Sequence, residues 1–236
     1  MLGSRAAAIL ATGLIVVGCA VQQTSTTGTS GVTATPGVPG AAATPVALPS
    51  PRTSGPVSLE ETLARRRSIR ELTAEPLTPA EIGQLLWAAQ GVTDAQGRRT
   101  APSAGALYPL ELYAVTAEGA SHYLPAEHAL LPVKDGDLRP RLRTAAFDQA
   151  PIGDAPLVVV VVGVPSRTEA KYGVDRARRY VALEAGHAAQ DLLLQAVALG
   201  LGGVPIGAFN DPGVAGVLGL PADEEPLYLL AVGHPR

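Results

Sequence analysis

A single cysteine, Cys19, occurs in the 236 residues, so neither an intramolecular disulfide nor a cysteine-based metal site can form. A dominant charge is also missing. The 18 Lys and Arg against 21 Asp and Glu leave a net charge of −3, which gives no reason to invoke a nucleic-acid partner. The N-terminal apolar run Ala6–Val17 falls short of the ~20 residues of a membrane-spanning helix. It has the length of a signal-peptide h-region and follows one cation, Arg5. No twin arginine precedes it, so export would use the general route and deliver the chain unfolded. No internal repeat is visible.

What is present divides the chain in three. Val16-Val17-Gly18-Cys19 resembles a bacterial lipobox, in which Cys19 would be lipidated and become the mature N-terminus. The alternative is an ordinary cleaved signal with an incidental cysteine. Residues 1–19 are thus read as a lipoprotein signal that places the body at the membrane, outside the cytoplasm. Residues 20–56 are Thr, Ser, Gly, Pro, Ala and Val with one charge, Arg52, and read as a disordered tether. Residues 57–236 are a normal size for one folded domain.

Two capping boxes open helices in that domain, Ser58-Leu-Glu-Glu61 and Thr78-Pro79-Ala-Glu81. After the second, Ile82, Leu85, Leu86 and Ala89 form a buried stripe. Strands are expected at Leu110–Thr116, Ser121–Leu124, Leu130–Val133, Leu157–Val164, Val204–Phe209 and Leu227–Val232. The run Leu157–Val164 is apolar on both faces and belongs at the centre of its sheet. Arg178–Leu199 reads as a long helix, and Asp211-Pro212 as the cap of a short one ending near Leu218. Strands in the middle and helices at both ends predict an α+β fold.

Several motifs have two readings each. Ala101-Pro-Ser103-Ala-Gly105 is one letter from a G-x-S-x-G nucleophile elbow, but no strand precedes Ser103 and the segment after it alternates like a strand rather than a helix. Arg65-Arg-Arg-Ser-Ile-Arg70 suits either a helix C-terminus or a phosphate, which forked arginines and a hydroxyl bind well. Gly200–Gly207 is glycine-rich, yet Pro205 breaks the dinucleotide-binding spacing and the order is helix then strand. Glu184-Ala-Gly-His187 has the spacing of a carboxylate-bridged metal site but lacks the paired copy such sites need, so a hydrogen-bonded interior His187 is the simpler reading. Asp223-Glu-Glu225 reads as a solvated turn.

Six blocks together carry a resemblance: Arg66–Arg70, Pro102–Pro109, Lys171-Tyr172-Gly173, Leu183–His187, Leu199–Gly207 and Val232–Pro235. In this order they resemble the FMN-dependent nitroreductases, and most of all the SagB-type dehydrogenases, the azoline oxidases of peptide natural products. The resemblance runs from about residue 57 to the end. It implies a nitroreductase-like fold with a central, mostly antiparallel sheet, and a homodimer that shares its two flavin sites. It also implies FMN as cofactor, a small-molecule or peptide substrate, and a second redox partner of unknown kind. Arg66, Arg67 and Ser68 would hold the phosphate and ribityl chain, Arg236 would assist, and Arg70 would face the pyrimidine end. Pro102, Ser103, Ala104 and Ala106 would line the flavin from the neighbouring subunit. Pro205, Ile206, Gly207 and Ala208 would bring backbone close to flavin N5. Lys171 and Tyr172, expected in the loop after the central strand, would remove a proton as hydride leaves. Two departures stand out: Ala106 occupies a place where many nitroreductases have an amide, and azoline oxidases are expected in the cytosol. A protein of the same fold that binds a flavin or another ligand without redox chemistry is the alternative.

Overall fold

The computed structural model describes residues 43–236. The expected signal at 1–19, Cys19 with it, and residues 20–42 of the expected tether lie outside that range. Among the described residues no helix is long and apolar enough to cross a membrane.

Seven strands form one sheet in the order β1-β4-β3-β2-β5-β7-β6. Every neighbouring pair is antiparallel. The strands are β1 Val46–Ala47, β2 Leu110–Val115, β3 Gly119–Leu124, β4 Ala129–Asp135, β5 Leu157–Gly163, β6 Gly202–Ile206 and β7 Glu225–Gly233. The helices are α1 Leu59–Arg65, α2 Pro79–Gln90, α3 Arg139–Ala145, α4 Ala150–Asp154, α5 Ser166–Tyr172, α6 Val174–Ala198 and α7 Asp211–Leu218. The α+β class with a central antiparallel sheet, expected from the sequence, is the one observed.

β5 explains the architecture. It lies between β2 and β7, and all its residues are buried. Because side chains alternate along a strand, Leu157, Val159 and Val161 enter the core beneath α2 and α6. Val158, Val160 and Val162 enter a second core, with Leu142, Ile152, Val214 and Leu218 from α3, α4 and α7. A sheet covered on both faces requires an unbroken apolar central strand. Leu85, Leu86 and Ala89 of α2 are fully buried, as their spacing predicts.

Several boundaries moved, each for a local reason. Thr78 makes the full capping box with Glu81, but Ser58 only accepts from the Glu61 amide. The long helix starts at Val174 rather than Arg178, because Gly173 (φ 76°) ends α5 and the next helix begins at once. β6 begins at Gly202, where its glycines let the backbone lie against Ile69 and Leu193. The cap of α7 is Asn210, whose side chain accepts from Gly213 N at 2.6 Å, and not Asp211. The acids at 223–225 do more than face water: Glu224 accepts from the Tyr113 hydroxyl at 2.7 Å, and Glu225 opens β7 and pairs with Arg178 at 3.0 Å.

The expected tether runs too far toward the C-terminus. Residues 46–54 form a strap on the body. β1 is the edge strand and pairs with β4, and Leu48 N donates to His128 O at 3.0 Å. The His128 imidazole binds Pro49 O through Nε2 at 3.0 Å and the Tyr123 hydroxyl through Nδ1 at 2.8 Å. A carbonyl can only accept, so Nε2 carries a proton. Buried Gln84 holds both sides of Arg52, accepting from its amide at 2.7 Å and donating to its carbonyl at 3.0 Å.

Candidate functional site

The loop between α2 and β2 is shaped by left-handed backbone. Gly105, Ala106 and Tyr108 have φ of 65°, 54° and 47°. For the two non-glycine residues this costs energy, so the surroundings must enforce it. Ser103 is one enforcer: its hydroxyl accepts from Tyr108 N at 2.9 Å, and its carbonyl from Ala106 N at 3.1 Å. Arg99 is another, with its guanidinium 4.6 Å from the centre of the Tyr108 ring and one nitrogen donating to Gln90 Oε1 at 2.8 Å. Arg167 of α5 donates to Tyr108 O at 3.2 Å and pairs with Glu111 of β2. Ser103 follows no strand and opens only a short 3₁₀ turn, so it is a loop-shaping residue and not a nucleophile on an elbow.

Lys171 and Tyr172 lie directly behind this loop. They occupy the last turn of α5, not the loop expected from the sequence. A Cβ placed on Gly105 would fall 2.6 Å from Lys171 Nζ and 2.9 Å from the Tyr172 hydroxyl. The φ of 65° at this position favours glycine, and a side chain there would displace the Lys171 amine. Tyr172 also packs edge-on against Tyr180 of α6, with ring centres 4.9 Å apart. Arg178 near the start of α6 is engaged by Glu225.

Glu184 of α6 stands beside Ser103 and Ala104. The E-x-x-H pair is oriented opposite to expectation: His187 is exposed, whereas Glu184 is 2% exposed and points inward from α6. Neither carboxyl oxygen makes a hydrogen bond, and the Nε2 of neighbouring Gln90 lacks a partner too. Burial pushes the Glu184 carboxyl up from its ordinary value, opposed by Ser103, Arg99 and Gln90, which face it. Ser103 and Gln90 face Glu184 without reaching hydrogen-bond geometry. Burial likewise pulls Arg99 down, while Glu111 and Glu184 work against that. At Glu111 burial alone would raise the carboxyl, but hydrogen bonds from His122 (2.7 Å) and Arg167 prevail and hold it low. The sequence reading singles out neither Gln90 nor an inward-facing Glu184. The signal that marks Glu184 is the helical spacing of Ala177, Val181, Ala185 and Ala188, the buried residues around it on α6. Among the described residues no group of acids and histidines is placed to hold a metal.

The arginine segment lies elsewhere. Arg66 caps α1, and Arg67 donates to the carbonyls of Ala64 and Arg66, so this one cation serves the helix end. Among the described residues no hydrogen bond or ion pair engages the Arg66 and Arg70 side chains. Ser68 bridges to Gly203, and Ile69 N donates to Gly203 O at 3.0 Å. Arg236 N donates to Glu71 O at 3.1 Å, which brings the C-terminus beside Arg70. Pro205 and Ile206 lie within β6, and Gly207 and Ala208 emerge exposed from its end. An added Cβ on Gly207 would meet Tyr228 Cε2 at 3.7 Å, an ordinary van der Waals contact, so a side chain there would not clash. Gln149 fixes this segment by donating to Ala208 O at 2.8 Å.

The expected residues therefore form two groups within one chain. Arg66, Ser68, Arg70 and Arg236 gather at the start of β6, and Gly207 lies ~13 Å away along the strand. Loop 102–108 with Lys171 and Tyr172 sits where β2 begins, three strand spacings or ~14 Å sideways. The free guanidiniums, the serine and the exposed backbone at Gly207 fit a phosphate at one end of an extended ligand and a flat ring at the other. A cavity of about 350 Å³ lies apart from both groups, between Leu77, Ile82, Ala114 and Leu130.

Residues 63–234 match the profile of the nitroreductase family. A relative from Methanocaldococcus jannaschii, whose name assigns it provisionally to the nitroreductases, is 42% identical over 184 residues, 75% of this chain and 91% of its own. A crystal structure from Ralstonia eutropha JMP134, titled with the same provisional name, superposes with a TM-score of 0.75 at 33% identity, covering 81% of this chain and 90% of that one. The Vibrio harveyi NADPH:FMN oxidoreductase, solved with NAD+, superposes with a TM-score of 0.58 at 26% identity over 75% of this chain and 68% of its own. A profile match over most of the folded body, joined to a relative this similar, makes the chain a member of the nitroreductase family, whose proteins are generally flavin-dependent oxidoreductases.

Proposed function

We propose that the protein is an FMN-dependent oxidoreductase of the SagB type, which dehydrogenates a small-molecule or peptide substrate and passes the electrons to a second partner. The observation that carries this reading is the seat of Lys171 and Tyr172 under Gly105, against the loop that would line the flavin. FMN as cofactor is supported by the unengaged Arg66 and Arg70 beside Ser68 and by the Vibrio harveyi neighbour's title. When bound, the flavin would accept hydride at N5. Arg66, Ser68 and Arg236 would hold the phosphate, and the exposed backbone at Gly207–Ala208 would admit the ring edge.

The same geometry supports a homodimer. The loop group and the phosphate group are too far apart to enclose one ring within a protomer, so loop 102–106 would complete the site of a second copy. Leu59, Leu63 and Leu183, each more than half exposed on α1 and α6, supply apolar surface for that contact.

Oxidising a C–H beside a heteroatom requires a base for the departing proton. Tyr172 and Lys171 flank the same point on the loop, and one of them, in its deprotonated form, would accept that proton while the other holds it in place by hydrogen bonding. Lys171→Ala and Tyr172→Phe are expected to keep FMN binding and slow flavin reduction by ~10²–10⁴. Stopped-flow bleaching with azoline-containing peptides and quinols checks this; wild-type rates in both variants would make the pair structural. Extracytoplasmic anchoring through a lipidated Cys19 belongs to the same proposal. Cys19→Ser should release the protein to the soluble fraction, and unchanged membrane retention would refute it.

A further inference from the structure

Helix α5 meets loop 102–108 at two points. Lys171 and Tyr172, in its last turn, lie against Gly105. Arg167, in its first turn, donates through Nη1 to Tyr108 O at 3.2 Å. Among the described residues this is the one hydrogen bond that joins α5 to the loop. Residues four apart share a face of a helix, so Arg167 and Lys171 reach the loop side by side, one turn or ~6 Å apart along the axis.

The guanidinium is itself held. Its Nη2 donates to Glu111 Oε1, and the other oxygen of that carboxylate is bonded to His122 Nε2 at 2.7 Å. His122 in turn stacks on Tyr113, with ring centres 5.0 Å apart. Glu111 lies in β2 opposite Val162 of the central strand, so its carboxylate is a fixed point of the sheet. Its side chain is 13% exposed, and charge-assisted bonds there are stronger than in open solvent. A cation that only neutralised Glu111 would need no second arm on the loop, and His122 already serves that carboxylate. The arm on Tyr108 falls where the backbone is left-handed (φ 47°), a conformation that the surroundings must enforce.

We infer that Arg167 is a positioning residue: clamped by Glu111, it fixes loop 102–108 to α5 and so sets where Lys171 and Tyr172 stand at Gly105. Without the guanidinium, no hydrogen bond holds the loop to the helix, and the turn at Tyr108 is free to relax from its left-handed conformation. Gly105, three residues before Tyr108, moves with that turn. The inference rests on the proposed flavin chemistry only for what the pair's position does to the rate.

The first arm of the test is NMR of the full chain without flavin. An added Cβ on Gly105 would stand 3.3 Å from Lys171 Cδ, so a Gly105 Cα hydrogen should show a nuclear Overhauser contact with the Lys171 side chain. Gly105→Ala and Lys171→Ala assign it. Arg167→Ala should abolish the contact while the amide shifts of β2 and β5 away from Glu111 stay in place. Glu111→Gln, which leaves the guanidinium without its charged anchor, should weaken it. Arg178→Ala, which removes an ion-paired arginine from neighbouring α6, should leave it intact. A contact unchanged in Arg167→Ala or in Glu111→Gln overturns the inference, as does one lost equally in Arg178→Ala. Should Arg167→Ala fail to fold, Glu111→Gln decides. The second arm is stopped-flow flavin reduction at saturating FMN. Arg167→Ala should slow it by ~10–10² and should slow Lys171→Ala no further. Slowing by the same factor in the Lys171→Ala background overturns the inference. If FMN does not bind, or Lys171→Ala keeps the wild-type rate, the proposed function fails and the NMR contact decides alone.

Discussion

Gly105→Ala separates the cost of a strained backbone from the cost of disturbing Lys171 and Tyr172. Gly105 has φ 65°, and its added Cβ would sit 2.6 Å from Lys171 Nζ, 2.9 Å from the Tyr172 hydroxyl and 3.3 Å from Lys171 Cδ. Gly97 is the matched control, with φ 76° and nothing within 4 Å. Placing alanine in the left-handed region costs ~1–2 kcal/mol at either position. In a chain of this size each kcal/mol lowers Tm by ~2–4 °C. Lysine's end is flexible and can swing away cheaply, so contact should add little to the stability loss at Gly105. It should instead move the amine by about an ångström, and misplacement of that size can cost ~10² in rate. Urea denaturation and stopped-flow reduction of bound FMN are the assays. The expected pattern is similar stability for the two variants with slow reduction in Gly105→Ala alone. Equal rates in two variants that both retain FMN would show that the seat under Gly105 has no part in the chemistry.

Three further outcomes are expected. Gln84→Ala removes the bonds that clasp Arg52 and one to Gln195; at ~0.5–1.5 kcal/mol each it should cost ~2 kcal/mol in urea and speed proteolysis before residue 57, and unchanged cleavage would show that the strap is not held there. Burial pushes the Asp191 carboxyl up to about 6 against a smaller opposing effect of His187, so the folded state binds its proton more tightly than the unfolded state. Stability should therefore fall as pH rises from about 4 to about 6; solvent reaching the carboxyl reduces a linkage of ~3 kcal/mol to ~1, and Asp191→Asn should gain that at pH 7 and nothing at pH 4. Arg66→Ala should weaken FMN roughly ten- to hundredfold and riboflavin much less, as should Ser68→Ala to a smaller degree; equal losses for both flavins would move the phosphate away from this segment.

The elements legible in the sequence are those whose pattern is local. Thr78–Glu81, the stripe of α2 and the valines of β5 each carry their periodicity or cap within a few residues, and each formed as expected. What eluded the sequence depends on distant partners. The Val46–Arg52 strap looks like a tether by composition, and only His128 and Gln84, far along the chain, turn it into structure. Lys171 and Tyr172 could be named from a resemblance, but their helical setting depends on Gly173 adopting positive φ. Glu184 is the clearest case: spacing alone makes it half of a metal motif with His187, and only the packing of α6 shows which of the two faces inward. Ser103 was legible as no nucleophile because the strand before it was missing, yet its actual partner, Tyr108 N, required the fold of the loop.

The strap also determines how the body would bear a mechanical load. A pull through the residues before 43 reaches β1 first, and its two-residue pairing with β4 would unzip bond by bond at low force. The load would next fall on His128 and then on Gln84, which grips both sides of one residue and must be broken in a single step. Not until that grip fails would tension enter α1 and the arginine segment along β6. β5 stays off the line of force throughout, since β1 and β5 stand at opposite sides of β4, β3 and β2. A chain tugged from its N-terminus would thus yield in a short, reversible extension at the sheet's edge and keep its central strands intact.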